Sequence, residues 1–326
     1  MIVKSLASHK AVRVAGFAAF AAVLLALPSL LGSNYLIRVA ITCGIYICLS
    51  LGLNIVVGFC GLLDLGYVAF YAIGAYTYAL LASPQFGIHL PWLAVLPFCA
   101  LVPAFFGVLL GTPTLRLRGD YLAIVTLGFG EIVRLFINNM DSVTNGPKGI
   151  ANIDTVTILG VSIRTPTSYY YLVLVFVLVF VLAISRLGRS RVGRAWGAIR
   201  EDEVAAKAMG LDTHSLKLRA FAMGASFAGL AGLLFAGFQT FVSPESFTFG
   251  ESIIIFCMIT LGGMGSIPGA ILGSVVLVVL PEILRPVADY RYLLYGLLLI
   301  LVMTLRPQGL WPSKQRRREL SERSES

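Results

Sequence analysis

The segment Arg186–Arg219, RLGRSRVGRAWGAIREDEVAAKAMGLDTHSLKLR, interrupts a chain that is otherwise mostly apolar. It contains eight basic and four acidic residues, and long apolar runs precede and follow it. Basic residues close to membrane spans are retained on the cytoplasmic side. We therefore expect this charged segment (residues 186–219) to be a cytoplasmic loop, and its position sets the orientation of the spans on either side.

The composition of the chain predicts an all-α polytopic membrane protein. Hydrophobic residues make up 58% of the sequence and charged residues only 13%, with a mean hydropathy of +0.87, whereas globular domains carry about 25% charged residues. An apolar helix of about 20 residues crosses the hydrocarbon core of a bilayer. By this criterion we predict about ten transmembrane helices, at 12–31, 36–57, 62–81, 90–110, 121–137, 169–185, 220–241, 252–263, 268–284 and 292–305.

The basic residues are distributed unevenly between the two sides of these spans. With the N-terminus inside, nineteen of the 25 Lys and Arg residues lie in cytoplasmic segments, five lie outside, and Arg134 lies within a span. The reverse orientation would contradict the positive-inside rule, so we predict that both termini are cytoplasmic. Anionic lipid headgroups account for the net charge of +9, which requires no nucleic-acid partner.

Two glycine-rich stretches interrupt the predicted spans, GFCGLLDLGYVAFYAIG at Gly58–Gly74 and GGMGSIPGAILG at Gly262–Gly273. Non-helical backbone at membrane depth is tolerated only where protein or a cavity covers it, so we interpret both as broken or re-entrant helices. Residues 138–168 form a sizeable external loop, in which the alternation DTVTILGVSI predicts a small hairpin. We expect residues 1–326 to form a single membrane domain.

Few ionisable residues lie inside the predicted spans, and these are the candidates for a role within the membrane. Glu131 and Arg134 are three residues apart on one helix and share a face. This spacing favours a self-neutralising structural pair, with a place on the translocation path as the alternative. Asp64 lies beside the first glycine-rich stretch, where it either caps the N-terminus of a half-helix or lines the path.

The sequence carries no recognisable catalytic or cofactor-binding motif. HExxH, GxSxG and CxxC patterns do not occur, and no lysine follows a glycine, so a phosphate-binding loop is missing. The three histidines and five cysteines show no metal-ligand spacing. We predict that the chain is not an enzyme, holds no cofactor or metal, and depends on other chains for any use of ATP.

Within the charged segment, capping signals predict a short helix. Asp202 is a suitable N-cap for a helix through Val204–Met209, and Gly210 is a suitable stop. Asp212, or a hydroxyl residue shortly after it, can begin the helix that returns to the membrane. A short helix with small residues on one face is suited to a groove in a partner protein.

Several long motifs resemble the LivM-like permeases of branched-chain amino acid ABC importers. The resemblance implies a bacterial inner-membrane permease that carries a small amino acid and assembles with a LivH-like second permease, two cytoplasmic ATPases and a periplasmic binding protein. In that setting residues 138–168 are a periplasmic loop and residues 186–219 a coupling loop. The motifs cover most of residues 36–307 and are NIVVGFCGLLDLGYVAFYAIGAY, YLAIVTLGFGEIVRLFINN, TNGPKGI, the charged segment, and LGGMGSIPGAILGSVVLVVLPEILR.

Importer permeases of this kind dock a loop of the form EAAxxxG in a cleft of the ATPase. The resemblance implies the same role for Glu203, Ala205, Ala206 and Gly210, although the acidic residue stands one position early because position 204 is Val204. We expect Ala205, Ala206 and Gly210 to face the ATPase. Two alternatives are a related ABC permease for urea, short amides or aromatic acids, and an ion-coupled secondary transporter, which would need a relay of ionisable groups in the membrane.

Overall fold

The computed structural model describes residues 25–30, 32–115, 119–158, 161–283 and 309–312, together with isolated positions between 290 and 304. Eight of its helices correspond to the second to ninth predicted spans, whereas most of the first and tenth predicted spans lies outside the described residues. In chain order the helices are α1 (Asn34–Leu53), α2 (Val68–Leu81), α3 (Trp92–Thr114), α4 (Asp120–Asn139), α5 (Asp141–Thr144), α6 (Pro166–Arg189), α7 (Arg191–Glu201), α8 (Glu203–Ala208), α9 (Thr213–Gln239), α10 (Phe249–Gly262) and α11 (Ile267–Ile283).

Several of these helices suit a bilayer. Among the described residues, five helical stretches are long and apolar enough to cross a membrane, and α2 and α11 are apolar but shorter. The class of helical membrane protein is therefore confirmed, and the total of ten spans stays a prediction. The five stretches are Asn34–Phe59, Trp92–Thr114, Pro166–Arg189, Thr213–Gln239 and Pro244–Gly262.

Helix α9 lies at the centre of the bundle, packed against α1, α2 and α3. Its small residues at four-residue spacing, Gly224, Ala228, Gly232 and Ala236, are all buried. A side chain added at Gly232 would collide with the backbone of α2 at Tyr71. Small residues allow this close approach of helix backbones inside a membrane. These small residues therefore form an internal packing face of this chain.

The first glycine-rich stretch interrupts a helix, as predicted. Helix α1 continues into a π-helical turn, Asn54–Phe59, and residues 60–67 are then non-helical until α2 begins at Val68. The predicted span 62–81 therefore starts six residues late. Gly61 explains the interruption, because its φ of +74° is left-handed and does not occur in a continuing α-helix. We call residues 60–67 the first break.

The second glycine-rich stretch also separates two helices, and it contacts the first. Helix α10 ends at Gly262 and α11 begins at Ile267, and we call residues 263–266 the second break. The buried side chain of Asn54 bridges the two regions, because its Oδ1 accepts a hydrogen bond of 2.8 Å from Gly265 N. The bridge satisfies a polar side chain in the interior of the bundle, where an unpaired amide would be costly.

Short strands form at the ends of the helices opposite the charged segment. Tyr78 Oη of α2 donates to the carbonyl of Asp154 at 2.9 Å, which joins loop 138–168 to the bundle. The pair β4–β5 is the hairpin predicted from DTVTILGVSI. The strands are β1 (Ala82–Ser83), β2 (Ile88–His89), β3 (Ile150–Ala151), β4 (Thr157–Ile158), β5 (Val161–Ser162) and β6 (Phe241–Val242), paired antiparallel as β1–β2, β3–β6 and β4–β5.

Candidate functional site

The middle of the charged segment folds into α7 and α8, which are separated by Asp202 alone. The carboxylate of Asp202 accepts hydrogen bonds from Val204 N at 2.8 Å and from Ala205 N at 3.0 Å, which caps α8. Gly210 follows α8, is exposed, and has a φ of +85°, which ends the helix. The predicted N-cap and the predicted stop are both confirmed.

The helix that returns to the bundle, α9, begins with a cap from Asp212. Its Oδ1 accepts a hydrogen bond of 3.2 Å from Ser215 N. Hydrogen bonds from the hydroxyl and the backbone N–H of Ser215 lower the pKa of Asp212 below its usual value. The carboxylate therefore stays ionised at neutral pH, at a helix N-terminus whose partial positive charge favours it.

Two contacts fasten α7 and α8 to the base of α9. Trp196 of α7 is fully buried, and its Nε1 donates to the carbonyl of Leu216 at 2.7 Å. Glu203 of α8 places Oε1 2.6 Å from Nζ of Lys217, which is buried. A buried ammonium group is costly unless it is paired. Glu203 therefore neutralises Lys217 and holds one face of α8 against α9.

The opposite face of α8 is exposed and apolar. Val204 is 65% exposed, Met209 is 84% exposed, and Ala205 between them is also exposed. We call these three residues the docking face. The prediction for Ala206 was wrong, since it is only 5% exposed. It lies three residues after Glu203 and thus on the helix face that is held against α9.

Glu131 and Arg134 form an ion pair within α4, as their spacing predicted. Arg134 Nη2 and Nε lie 2.8 Å and 2.9 Å from Glu131 Oε2, and about one third of each side chain is exposed. Glu131 lies about 16 Å along the helix axis from Asp120, the first residue of α4. Because α4 corresponds to the fifth predicted span, we expect ionisable groups at this position to face other helices or a water-filled cavity. This face of α4 is therefore unsuited to lipid alone.

Asp64 lies in the first break and is only 1% exposed. Its Oδ1 accepts a hydrogen bond of 2.9 Å from Gly66 N, and no described residue bonds to its Oδ2. The first N–H of α2, on Val68, donates instead to the hydroxyl of Ser252 at 3.2 Å. The prediction that Asp64 caps the half-helix was therefore wrong, because a side chain from α10 satisfies that N–H.

These features define a polytopic helical membrane protein with two interrupted helices and an exposed apolar helix in its charged segment. Within the ranges that the structure describes, no group of three His, Cys, Asp or Glu side chains could hold a metal ion. Residues 35–303 match the family described as branched-chain amino acid transport system / permease component, and the chain belongs to this family.

The chain is similar to permease proteins of known transport systems. It is 49% identical over 291 residues to the high-affinity branched-chain amino acid transport system permease protein LivM of Salmonella typhimurium. The aligned residues make up 82% of this chain and 68% of that protein. The Escherichia coli LivM protein is 48% identical with the same coverage. The S. typhimurium permease protein LivH of the same description is 27% identical over 279 residues, or 81% of this chain and 90% of LivH. No solved structure matches the chain.

Proposed function

We propose that this chain is the transmembrane permease subunit of an ATP-driven ABC importer that moves branched-chain amino acids across the bacterial inner membrane. The observation that carries the proposal is the 49% identity to a LivM protein over 82% of the chain, together with the family match. The docking face supports it, because a permease without a phosphate-binding loop must receive the energy of ATP hydrolysis through contact with another chain.

We propose that residues 1–326 form one permease domain of about ten transmembrane helices with both termini in the cytoplasm. Residues 138–168 form its periplasmic loop and residues 186–219 its cytoplasmic coupling loop. The support for this orientation is the position of nineteen of 25 basic residues on one side of the predicted spans. The placement of the charged segment and the strand pairs at opposite ends of the helices also supports this proposal.

The proposed assembly contains a LivH-like second permease, two cytoplasmic ATPases and a periplasmic binding protein. The LivM and LivH relatives are both permease proteins of high-affinity branched-chain amino acid transport systems, and each aligns with about four fifths of this chain. Two permeases of related sequence in one system support a heterodimeric membrane unit. The spans that the structure describes hold no dense cluster of charged side chains, which fits an importer whose binding protein selects the substrate.

In this function Ala205 and Gly210, with Val204 and Met209, bind the ATPase, whereas Glu203 and Ala206 hold α8 to the permease. Closure of the two ATPases on ATP displaces α8. The ion pair between Glu203 and Lys217 passes the displacement to α9, which packs against α1, α2 and α3. Because α9 is the centre of the bundle, its movement changes access to the path.

We place the translocation path along α4, between this chain and the second permease. The partly exposed Glu131–Arg134 pair near the middle of α4 supports this placement, since water or protein must cover it. Asp64 is the third candidate for the path, because it lies in a broken helix and its Oδ2 bonds to no described residue. The chain moves its substrate without covalent change.

The test is transport by the complete complex in proteoliposomes. We expect uptake of leucine, isoleucine and valine that depends on ATP and on the binding protein, and uptake of urea or aromatic acids in their place would refute the substrate assignment. Gly210→Arg should abolish uptake, since it adds bulk beside the docking face. The variant should remain in the membrane at a normal level, because an added Cβ atom meets no atom of a distant residue within 4 Å and the strain from the φ of +85° falls on the exposed turn after α8. Normal uptake by Gly210→Arg would refute the coupling role.

A further inference from the structure

We propose that Arg200 is the positioning residue through which movement of the charged segment reaches both breaks of the membrane region. The proposal rests on the ATP-driven import proposed above, and it concerns a step that the docking face does not explain. A displacement of α8 must change the backbone of the membrane region before it can change access to a path. Arg200 lies where these two parts of the molecule meet.

The side chain of Arg200 contacts both glycine-rich regions. Its Nη1 donates a hydrogen bond of 2.6 Å to the carbonyl of Gly58, at the end of the π-helical turn. A Cβ atom at Gly61 would lie 2.8 Å from Arg200 Cγ, and a Cβ atom at Gly265 would lie 2.8 Å from Arg200 Nη1. The side chain of Arg200 therefore occupies the space that glycine leaves open in the two breaks, with its aliphatic stem beside Gly61 and its guanidinium group beside Gly265.

The second break also contacts the π-helical turn that leads into the first break. Gly265 N donates to Asn54 Oδ1, and a Cβ atom at Gly58 would lie 2.6 Å from Gly265 N. Gly61 and Gly265 both have left-handed backbone conformations, with φ of +74° and +80°. Arg200, Asn54 and the glycines thus form one packed cluster, which we call the break junction, and in it the end of α7 meets the π-helical turn and both breaks.

The position of Arg200 in α7 makes it responsive to α8. Arg200 precedes Asp202, the cap of α8, by two residues. The body of α7 is held by the buried side chains of Trp196 and Ile199. A pull on α8 therefore acts on the end of α7, where Arg200 lies, while the rest of α7 remains attached. The charged hydrogen bond from Arg200 to the Gly58 carbonyl is short and directional, so it transmits this displacement to the backbone.

Arginine suits this position better than lysine. Its planar guanidinium carries five N–H donors in a fixed arrangement, whereas lysine carries one compact ammonium group on a flexible stem. Here Nη1 binds the carbonyl of Gly58 and also lies beside Gly265, so the guanidinium group connects the π-helical turn to the second break. Lysine can retain the charge, the stem beside Gly61 and a bond to Gly58, but it lacks the fixed guanidinium group that fills the space beside Gly265.

The experiment compares Arg200→Gln, Arg200→Lys and the control Arg191→Gln in the complete complex in proteoliposomes. Arg191 is an exposed arginine at the first position of the same helix, so its replacement removes the same charge without touching the breaks. ATP hydrolysis and leucine uptake are measured in the same vesicles. We expect the complex with Arg200→Gln to keep its bound ATPases and at least half of the hydrolysis rate, while its leucine uptake falls at least tenfold. We expect Arg200→Lys to lose a smaller part of the leucine uptake.

A second measurement separates transmission from a merely structural role. Hydrogen–deuterium exchange of residues 58–66 and 263–267 should change on ATP binding in the wild type and in Arg191→Gln, but not in Arg200→Gln. An unchanged ratio of hydrolysis to uptake, or a wild-type response of both breaks in Arg200→Gln, would overturn the proposal. If Arg200→Gln does not assemble, Arg200→Lys decides the question, and normal coupling in that variant overturns the proposal.

Failure of the underlying function gives a different result. If the wild-type complex neither hydrolyses ATP nor imports amino acids, the importer proposal fails. If the wild type couples hydrolysis to uptake and both Arg200 variants do so equally, only the role of Arg200 fails.

Discussion

Met209 offers a quantitative test of the docking face. Its side chain is 84% exposed, so nearly all of it is available for burial by a partner. Full burial of a methionine side chain contributes about 1.5–3 kcal/mol, so burial of this fraction contributes about 1.3–2.5 kcal/mol. Because each 1.4 kcal/mol is a factor of ten in affinity, we expect Met209→Ser to weaken binding of the ATPase by about 8- to 60-fold.

The assay is titration of the purified ATPase onto permease heterodimers in nanodiscs. Met209→Leu is the matched control, since it keeps the apolar volume at the same position and should change the affinity little. The permease itself should keep its thermal stability in both variants, because Met209 packs against little of its own chain. Equal affinities for the wild type and Met209→Ser would refute the assignment of the docking face.

Two further predictions concern the membrane region. Glu131→Gln leaves Arg134 unpaired and should lower the stability of the assembled permease by about 1–2 kcal/mol, less than the loss of a fully buried pair because one third of each side chain is exposed. Glu131→Gln with Arg134→Gln should restore much of the melting temperature, whereas a stable double variant without uptake would contradict the structural interpretation and place both residues on the substrate path. An impermeant maleimide added from outside should label a cysteine at Asn152 but not one at Ser190 or at Ser321, which lies outside the described residues. The five native cysteines are buried, and outside labelling at Ser190 would overturn the proposed orientation.

Local signals predicted much of the charged segment correctly. The cap at Asp202, the stop at Gly210 and the cap at Asp212 follow from interactions within three residues of each other, so they can be read from the sequence alone. The glycine-rich breaks and the hairpin of loop 138–168 were predicted for the same reason. Backbone preferences of glycine and of alternating strands act locally and leave a pattern in the sequence.

The contacts that give the candidate site its function join distant parts of the chain. The inward face of α8 is set by Lys217, fourteen positions after Glu203, so the sequence could not show that Ala206 is buried. Val204 and Met209 did carry a signal, because they are large apolar residues in an otherwise charged segment. The hydrogen bond from Arg200 to Gly58 crosses 142 positions and leaves no periodic pattern.

This separation between Gly58 and Arg200 also bears on the order of synthesis. A ribosome adds about 5–20 residues per second, so Arg200 follows Gly58 after roughly 7–28 s, and Gly265 follows later still. For most of this interval α1 and α2 are already complete, but Arg200, whose guanidinium group binds the carbonyl of Gly58, has not yet been added to the chain. The helices of the first half therefore enter the bilayer with an incomplete junction, and a nascent chain that stalls before Arg200 exposes this backbone to whichever helices insert beside it.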